Sequence, residues 1–120
     1  MNTTQLKTFC NALPGASSRV AAPPVNVLVY SVGGKNFAWF KTSEPEKWRF
    51  SLRVSPDRFI ELTDRAGIKP ARYMARFHWI TIVDVRSMPE DYLAELVRWS
   101  YEKALSSLSA KRRNALLHIA

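Results

Sequence analysis

One cysteine, two histidines, four glycines and ten acidic residues among 120 positions exclude several classes of protein. Cys10 has no second cysteine to pair with, so no intramolecular disulfide can form. With only His78 and His118 beside it, the soft ligands are too few for a zinc site, and the chain is expected to need no metal and no cofactor. No apolar run approaches the roughly 20 residues that cross a bilayer. The segment Met1-Asn2-Thr3-Thr4-Gln5 lacks the cationic-then-apolar order of a signal peptide, so a cytoplasmic protein without membrane association is expected. Gly33-Gly34-Lys35 lacks the four intervening residues and the Lys-Ser/Thr ending of a phosphate loop. No nucleophile with its base and no paired carboxylates are legible, and the expectation is a non-enzymatic protein.

What is present is cation. Eighteen Lys and Arg against ten Asp and Glu give a net charge of +8. Segments 25–54 and 67–86 carry +3 each, so six of the eight net charges fall in the two β-rich stretches. Such a balance favours polyanionic partners, although it would equally keep a small protein soluble. A hydrophobic content of 47% suffices for one core, and residues 1–120 are expected to form a single domain and a monomer.

Leu6, Phe9, Cys10 and Leu13 follow helical spacing, which predicts a helix near 3–13 stopped by Pro14-Gly15. Ala16–Pro24, with its serines and Pro23-Pro24, reads as a loop. Val25–Val32 and Lys35–Lys41 flank Gly33-Gly34, a two-residue connection that predicts a type I′ hairpin. Its simplest register pairs Tyr30 with Phe37 and Leu28 with Trp39 on one face, and Val29 with Ala38 and Val27 with Phe40 on the other. Along Lys47–Val54 the residues alternate, with Trp48, Phe50, Leu52 and Val54 on a core face and Lys47, Arg49, Ser51 and Arg53 on a cationic one. Ser55-Pro56-Asp57 starts a helix that Gly67 ends, with Phe59, Leu62 and Ala66 as its inner stripe. Phe77–Val85 reads as a further strand, and a short extra strand could lie around Arg72-Tyr73. Ser87-Met88-Pro89-Glu90 has capping-box spacing for a long helix lined by Leu93, Leu96, Val97, Ser100 and Ala104. A last short helix begins at Ser109 and ends in Leu116, Leu117 and Ile119. The order α-β-β-β-α-β-α-α predicts an α+β fold, a single antiparallel sheet of four to five strands packed on a helical layer.

The constellation left for function is cationic and aromatic. Arg49 and Arg53 share a strand face, Arg72 and Arg76 stand four apart, and Lys35 and Lys41 lie on the hairpin. These forks and point charges could line a phosphate backbone, with Tyr73, Trp79 and Trp39 as stacking surfaces. Trp48 and Phe50 read as core. Arg53, Arg72, Arg76 and Trp79 carry two readings, a contact surface or an Arg-over-Trp arrangement that stabilises a sheet. His78 and Asp84, six apart on one expected strand, would face one side but stand about 20 Å apart, too far to pair. A chemical role for His78 needs partners from elsewhere.

Leu13-Pro14-Gly15-Ala16, Gly34-Lys35-Asn36-Phe37-Ala38, Ser51-Leu52-Arg53, Pro70-Ala71 with His78-Trp79-Ile80-Thr81-Ile82, and Ser100-Tyr101 resemble, in order and spacing, the MmcQ/YjbR-like family of small bacterial proteins. The resemblance implies a frataxin-like or secretion-chaperone-like domain with a double-wing mode of DNA binding. Arg53 stands where a Lys is usual, Ala75 replaces a polar residue that is commonly Asn, and Pro23-Pro24 lies where relatives often carry acidic or His-containing sequence. The expectation is a DNA-binding-type domain whose contact surface comprises Lys35, Arg49, Arg53, Arg72, Arg76, His78 and Trp79. An adaptor that presents the same face to a peptide or acidic protein is the alternative, and an enzyme acting on an anionic small molecule near His78 is a third.

Overall fold

The computed structural model describes residues 1–117, so the expected places of His118 and Ile119 lie outside the described residues. Helix α1 spans Thr3–Ala12, and a reciprocal Asn2–Gln5 capping box satisfies two of its free amides. Leu6 and Cys10 are fully buried on its inner face. Ala16–Ala21, expected as loop, is instead strand β1, antiparallel to strand β2 over Val27–Val32. At this sheet edge the backbone takes its hydrogen bonds from β2 while Ser17 through Val20 stay exposed, so no buried face writes an alternating pattern.

Strand β3 over Lys35–Lys41 has the expected bounds and joins β2 through Gly33-Gly34, both at positive φ. The expected register holds only beside the turn, at Val32↔Lys35 and Ser31↔Asn36. A bulge then leaves Phe37 as the extra residue, and Tyr30 pairs with Ala38, Val29 with Trp39 and Leu28 with Phe40. The shift corrects the face assignment: Tyr30, Ala38, Leu28 and Phe40 share the core side, while Val29 and Trp39 go to the other.

Strand β4 is Phe50–Arg53, shorter than the alternation suggests because Trp48 adopts φ 69° and breaks the regular ladder, although Trp48 N and Arg49 O still bond to Lys41 of β3. Helix α2, Pro56–Thr63, starts as expected, with Ser55 Oγ accepting from Arg58 N at 3.3 Å. It stops short of Gly67 and leaves Ala66 exposed, so Ala66 is no part of its inner stripe. The extra strand, β5, is Ile68–Pro70 rather than the Arg72-Tyr73 region. Three residues ending in proline are too few to show a period, yet Ile68↔Ile82 and Pro70↔Ile80 bind them to strand β6, Trp79–Ile82. Ala75–Phe77 forms a 3-10 turn and His78 sits at φ 66°, so β6 begins two residues later than expected. Among the described residues the sheet therefore has six strands, one more than the upper expectation, in the antiparallel order β1-β2-β3-β4-β6-β5.

Helix α3, Glu90–Ser106, buries Leu93, Leu96, Val97, Ser100 and Ala104 as its spacing predicts. The expected capping box does not form: Pro89 occupies the cap, and Ser87 Oγ turns back to donate to Asp84 O at 2.6 Å. Helix α4, Ala110–Leu117, starts after Ser109, whose Oγ accepts from Arg112 N at 3.2 Å. Inner residues of α1, α2 and α3 join Tyr30, Phe40, Phe50, Leu52, Ile80 and Ile82 in one apolar core, and Leu116 of α4 packs against it. Among the described residues all four α-helices lie on that side of the sheet, and the opposite face is left open by them.

Candidate anion-binding cleft on the open sheet face

Side chains alternate across the pleat, so the ladder fixes what the open face presents. Arg19, Val29, Trp39, Ser51, Thr81 and Lys69 run in register across all six strands. Ser51 and Thr81 join their hydroxyls at 2.7 Å, and this polar seam is the floor of a cleft of about 570 Å³. Lys41 at the end of β3, Arg49 just before β4, and Lys69 and Arg72 in and just after β5 bring four cations to the cleft. Pro24, Val25, Trp39 and Tyr73 supply apolar walls, and Glu46 is the one acid among its lining residues.

Glu46 is held between two of those cations. Its Oε2 accepts from Arg49 Nη1 at 3.2 Å and lies 3.8 Å from Arg72 Nη2. Lys41 Nζ donates to Val25 O at 2.9 Å, which ties the connection between β1 and β2 to the end of β3. Trp39 stacks on Trp79 with ring centroids 4.5 Å apart and planes 17° from parallel. Tyr73, in contrast, is 90% exposed at the rim with φ 68°.

Most acidic side chains stand elsewhere. Asp57, Glu61 and Asp64 belong to α2 and its exit, and Glu90, Asp91, Glu95 and Glu102 to α3. Asp84 is occupied by Arg86, whose backbone and side-chain N–H groups donate to it at 3.0–3.1 Å and hold its carboxyl below the usual range. Arg58 on the helical side reaches Glu95 at 3.1 Å. Cations on the sheet face are therefore left with Glu46 as their one ion-pair partner among the described residues.

Of the residues singled out in the sequence, Arg49 and Arg72 meet in this cleft. Arg53 lies on the same face opposite Trp79, beyond the cleft. Trp79 is only 5% exposed, covered by Trp39, so its ring is no free stacking surface. Arg76 places its guanidinium 4.7 Å from the Phe77 ring in the 3-10 turn, outside the lining. His78 packs edge-on against Phe59 of α2 at 5.6 Å, on the helical side, and Asp84 caps a separate 3-10 turn over Val85–Ser87. Their expected common strand face does not exist, because neither residue is in β6. Lys35 stands at the hairpin turn, six residues and about 20 Å along β3 from Lys41. Lys41, named with Lys35 as a hairpin cation but not carried into the expected contact surface, does line the cleft. Lys69 and Glu46 were not among the expected contacts: Lys69 needed β5, and Glu46 lies in a loop that carries no period.

No group of three or more His, Cys, Asp or Glu side chains among the described residues could hold a metal ion, and no described helix is long and apolar enough to cross a membrane. Comparison with solved structures gives a match to a Deinococcus radiodurans protein carrying a DUF419 domain, at TM-score 0.80 and 27% identity, over 96% of this chain and 87% of that one. A Pseudomonas syringae protein matches at TM-score 0.68 and 19% identity, over 87% of this chain and 99% of that one, which speaks to the fold alone. The Escherichia coli K12 protein named uncharacterized protein YjbR is 28% identical over 120 residues, 99% of this chain and all of the relative. The YjbR family model matches residues 11–103, which includes every lining residue of the cleft, and the chain belongs to that family.

Proposed function

We propose that the open sheet face binds DNA through its phosphates, with Lys41, Arg49, Lys69 and Arg72 as the contact cations and without catalysing a reaction on it. One observation carries this reading: four cations from β3, the β3–β4 connection and the β5 region converge on a concave face, while seven of the ten acids belong to α2, its exit and α3. Arg forks suit phosphate oxygens, and lysine ammonium groups add point charge without demanding one geometry. Arg53 extends the positive face past Trp79. Lys35 and His78 receive no role in contact, since one lies at the far end of β3 and the other against α2. The same reading takes the domain as a frataxin-like or secretion-chaperone-like variant of the α+β sandwich with a double-wing mode of binding, working in the cytoplasm as a monomer.

The test is fluorescence anisotropy with labelled single-stranded and duplex DNA over a range of salt. Affinity should fall with salt with a log–log slope of about −0.7 to −0.9 per neutralised phosphate. Arg49→Ala, Lys69→Ala and Arg72→Ala should each flatten that slope, and Lys35→Ala should not. Absence of binding at tens of micromolar protein would fall short of ordinary non-specific affinity, about 10⁻⁴–10⁻⁶ M. Such a result, with capture of an acidic peptide on the same face instead, would transfer the function to the adaptor reading.

A further inference from the structure

Arg49 and Arg72 stand on different walls of the cleft, one before β4 and the other after β5, and a single oxygen of Glu46 bridges them. A lone carboxylate oxygen between two guanidinium groups has the charge and acceptor geometry of a phosphate oxygen. Glu46 belongs to the connection between β3 and β4 rather than to either strand, so its position is not fixed by the ladder. Its hold on Arg72 is loose, at 3.8 Å, and the Arg72 side chain is 73% exposed. The Arg49 contact is closer, at 3.2 Å with both side chains part-buried, so only the Arg72 half of the bridge is an exposed pair of little worth, and a better-matched anion must replace both contacts.

We propose that the Arg49–Arg72 pair is a subsite for one phosphodiester group of the bound strand, and that Glu46 fills it in the free protein as an internal competitor. This inference rests on the DNA reading. Binding then exchanges the carboxylate for a phosphate: Glu46 swings to solvent, both guanidiniums keep an anionic partner, and the cleft loses its one negative group. The competing carboxylate lowers affinity by the same factor for every polyanion that must displace it.

Replacing the carboxylate with its neutral isostere tests this. Glu46→Gln should tighten binding of a labelled single-stranded oligonucleotide by about threefold or more at fixed salt, the scale of an exposed ion pair converted to affinity. Glu44→Gln removes the same charge from the same connection without touching the Arg pair, and should change affinity less than twofold. In an Arg49→Ala/Arg72→Ala background the gain from Glu46→Gln should vanish. Equal gains for Glu44→Gln and Glu46→Gln would reduce the effect to net charge and overturn the subsite. Weaker binding by Glu46→Gln, together with a lowered melting temperature, would make Glu46 a structural clamp. Either outcome overturns this inference while wild-type binding leaves the DNA reading in place. Wild type and variants that all leave the oligonucleotide free overturn both.

Discussion

Ser100 Oγ on α3 donates to Phe37 O at 2.6 Å, and Phe37 is the residue that β3 carries as a bulge. The same hydroxyl accepts from Arg53 N at 3.2 Å. A bulged residue leaves ladder groups without strand partners, and here one buried hydroxyl serves β3 and β4 at once. The one-residue shift it secures decides which side of the sheet Trp39 faces, so a contact on the helical layer sets the composition of the open face.

Ser100→Ala should therefore cost about 1–3 kcal/mol, because it strands a buried carbonyl rather than merely removing a bond. Urea unfolding measures it. A loss below about 0.5 kcal/mol, the scale of an ordinary surface substitution, would mean that water or a relaxed bulge serves Phe37 equally well.

Gly33 and Gly34 both need positive φ, at 57° and 81°, but only Gly33 is also crowded. A Cβ there would stand 2.5 Å from Leu108 Cδ1 and 3.0 Å from Leu116 Cδ1, whereas at Gly34 nothing lies within 4 Å. Gly34→Ala should cost about 1 kcal/mol from backbone strain alone. Gly33→Ala should cost more, since the Leu108 and Leu116 side chains must give way in addition to the backbone strain, and Arg112 Nη2 of α4 would be disturbed from its 2.9 Å bond to Gly33 O. Equal melting temperatures for the two variants would show that α4 does not brace this turn.

The parts of this fold that are legible in the sequence are those with a buried face or a special residue. The α3 stripe, the Ser55-Pro56 helix start and the Gly33-Gly34 turn each bury a period or demand a backbone shape. Strand β1 buries little and β5 is too short, so neither writes a period even though each pairs with a strand close by in the chain. The bulge at Phe37 is invisible for another reason, because its partner Ser100 is 63 residues away. Half of the candidate site followed the same rule. Arg49 was found through the parity of its strand, while Glu46 and Lys69 depend on where loops and a three-residue strand are placed by tertiary packing.

Cys10 and Tyr30 predict an alkaline limit to stability. Burial pushes the Cys10 thiol from 9.0 up to about 12, and burial, then the nearby Cys10, pushes the Tyr30 phenol from 10.0 up to about 12. Both folded values are raised, so the unfolded chain loses its protons first as pH increases. Their contribution is complete below pH 9 and falls away between about 9 and 12, by up to roughly 1.4 kcal/mol per pH unit for each group. Cys10→Ser should start less stable but decline less steeply between about pH 9 and 10, where the unfolded thiol titrates. Urea midpoints taken across that range check the slope, and parallel curves for wild type and variant would remove Cys10 as the cause.

Trp79 and Tyr73 separate stability from recognition on the open face. Trp79 lies beneath Trp39 and is buried, so Trp79→Ala should cost about 3–5 kcal/mol and weaken DNA binding only through loss of the folded state. Tyr73 buries almost nothing, and Tyr73→Phe should keep both the melting temperature and the affinity, because only the ring can stack on a base. Tyr73→Ala should leave the melting temperature within about 2 °C, the scale of a negligible change for a domain of this size. If an unpaired base stacks on its ring, Tyr73→Ala should also weaken single-stranded DNA by roughly 1–3 kcal/mol with little change in the salt slope. Duplex DNA, whose bases are already stacked, should lose much less. Equal losses for the two probes would rule out base stacking by Tyr73, and no loss for either would leave Tyr73 outside the contact.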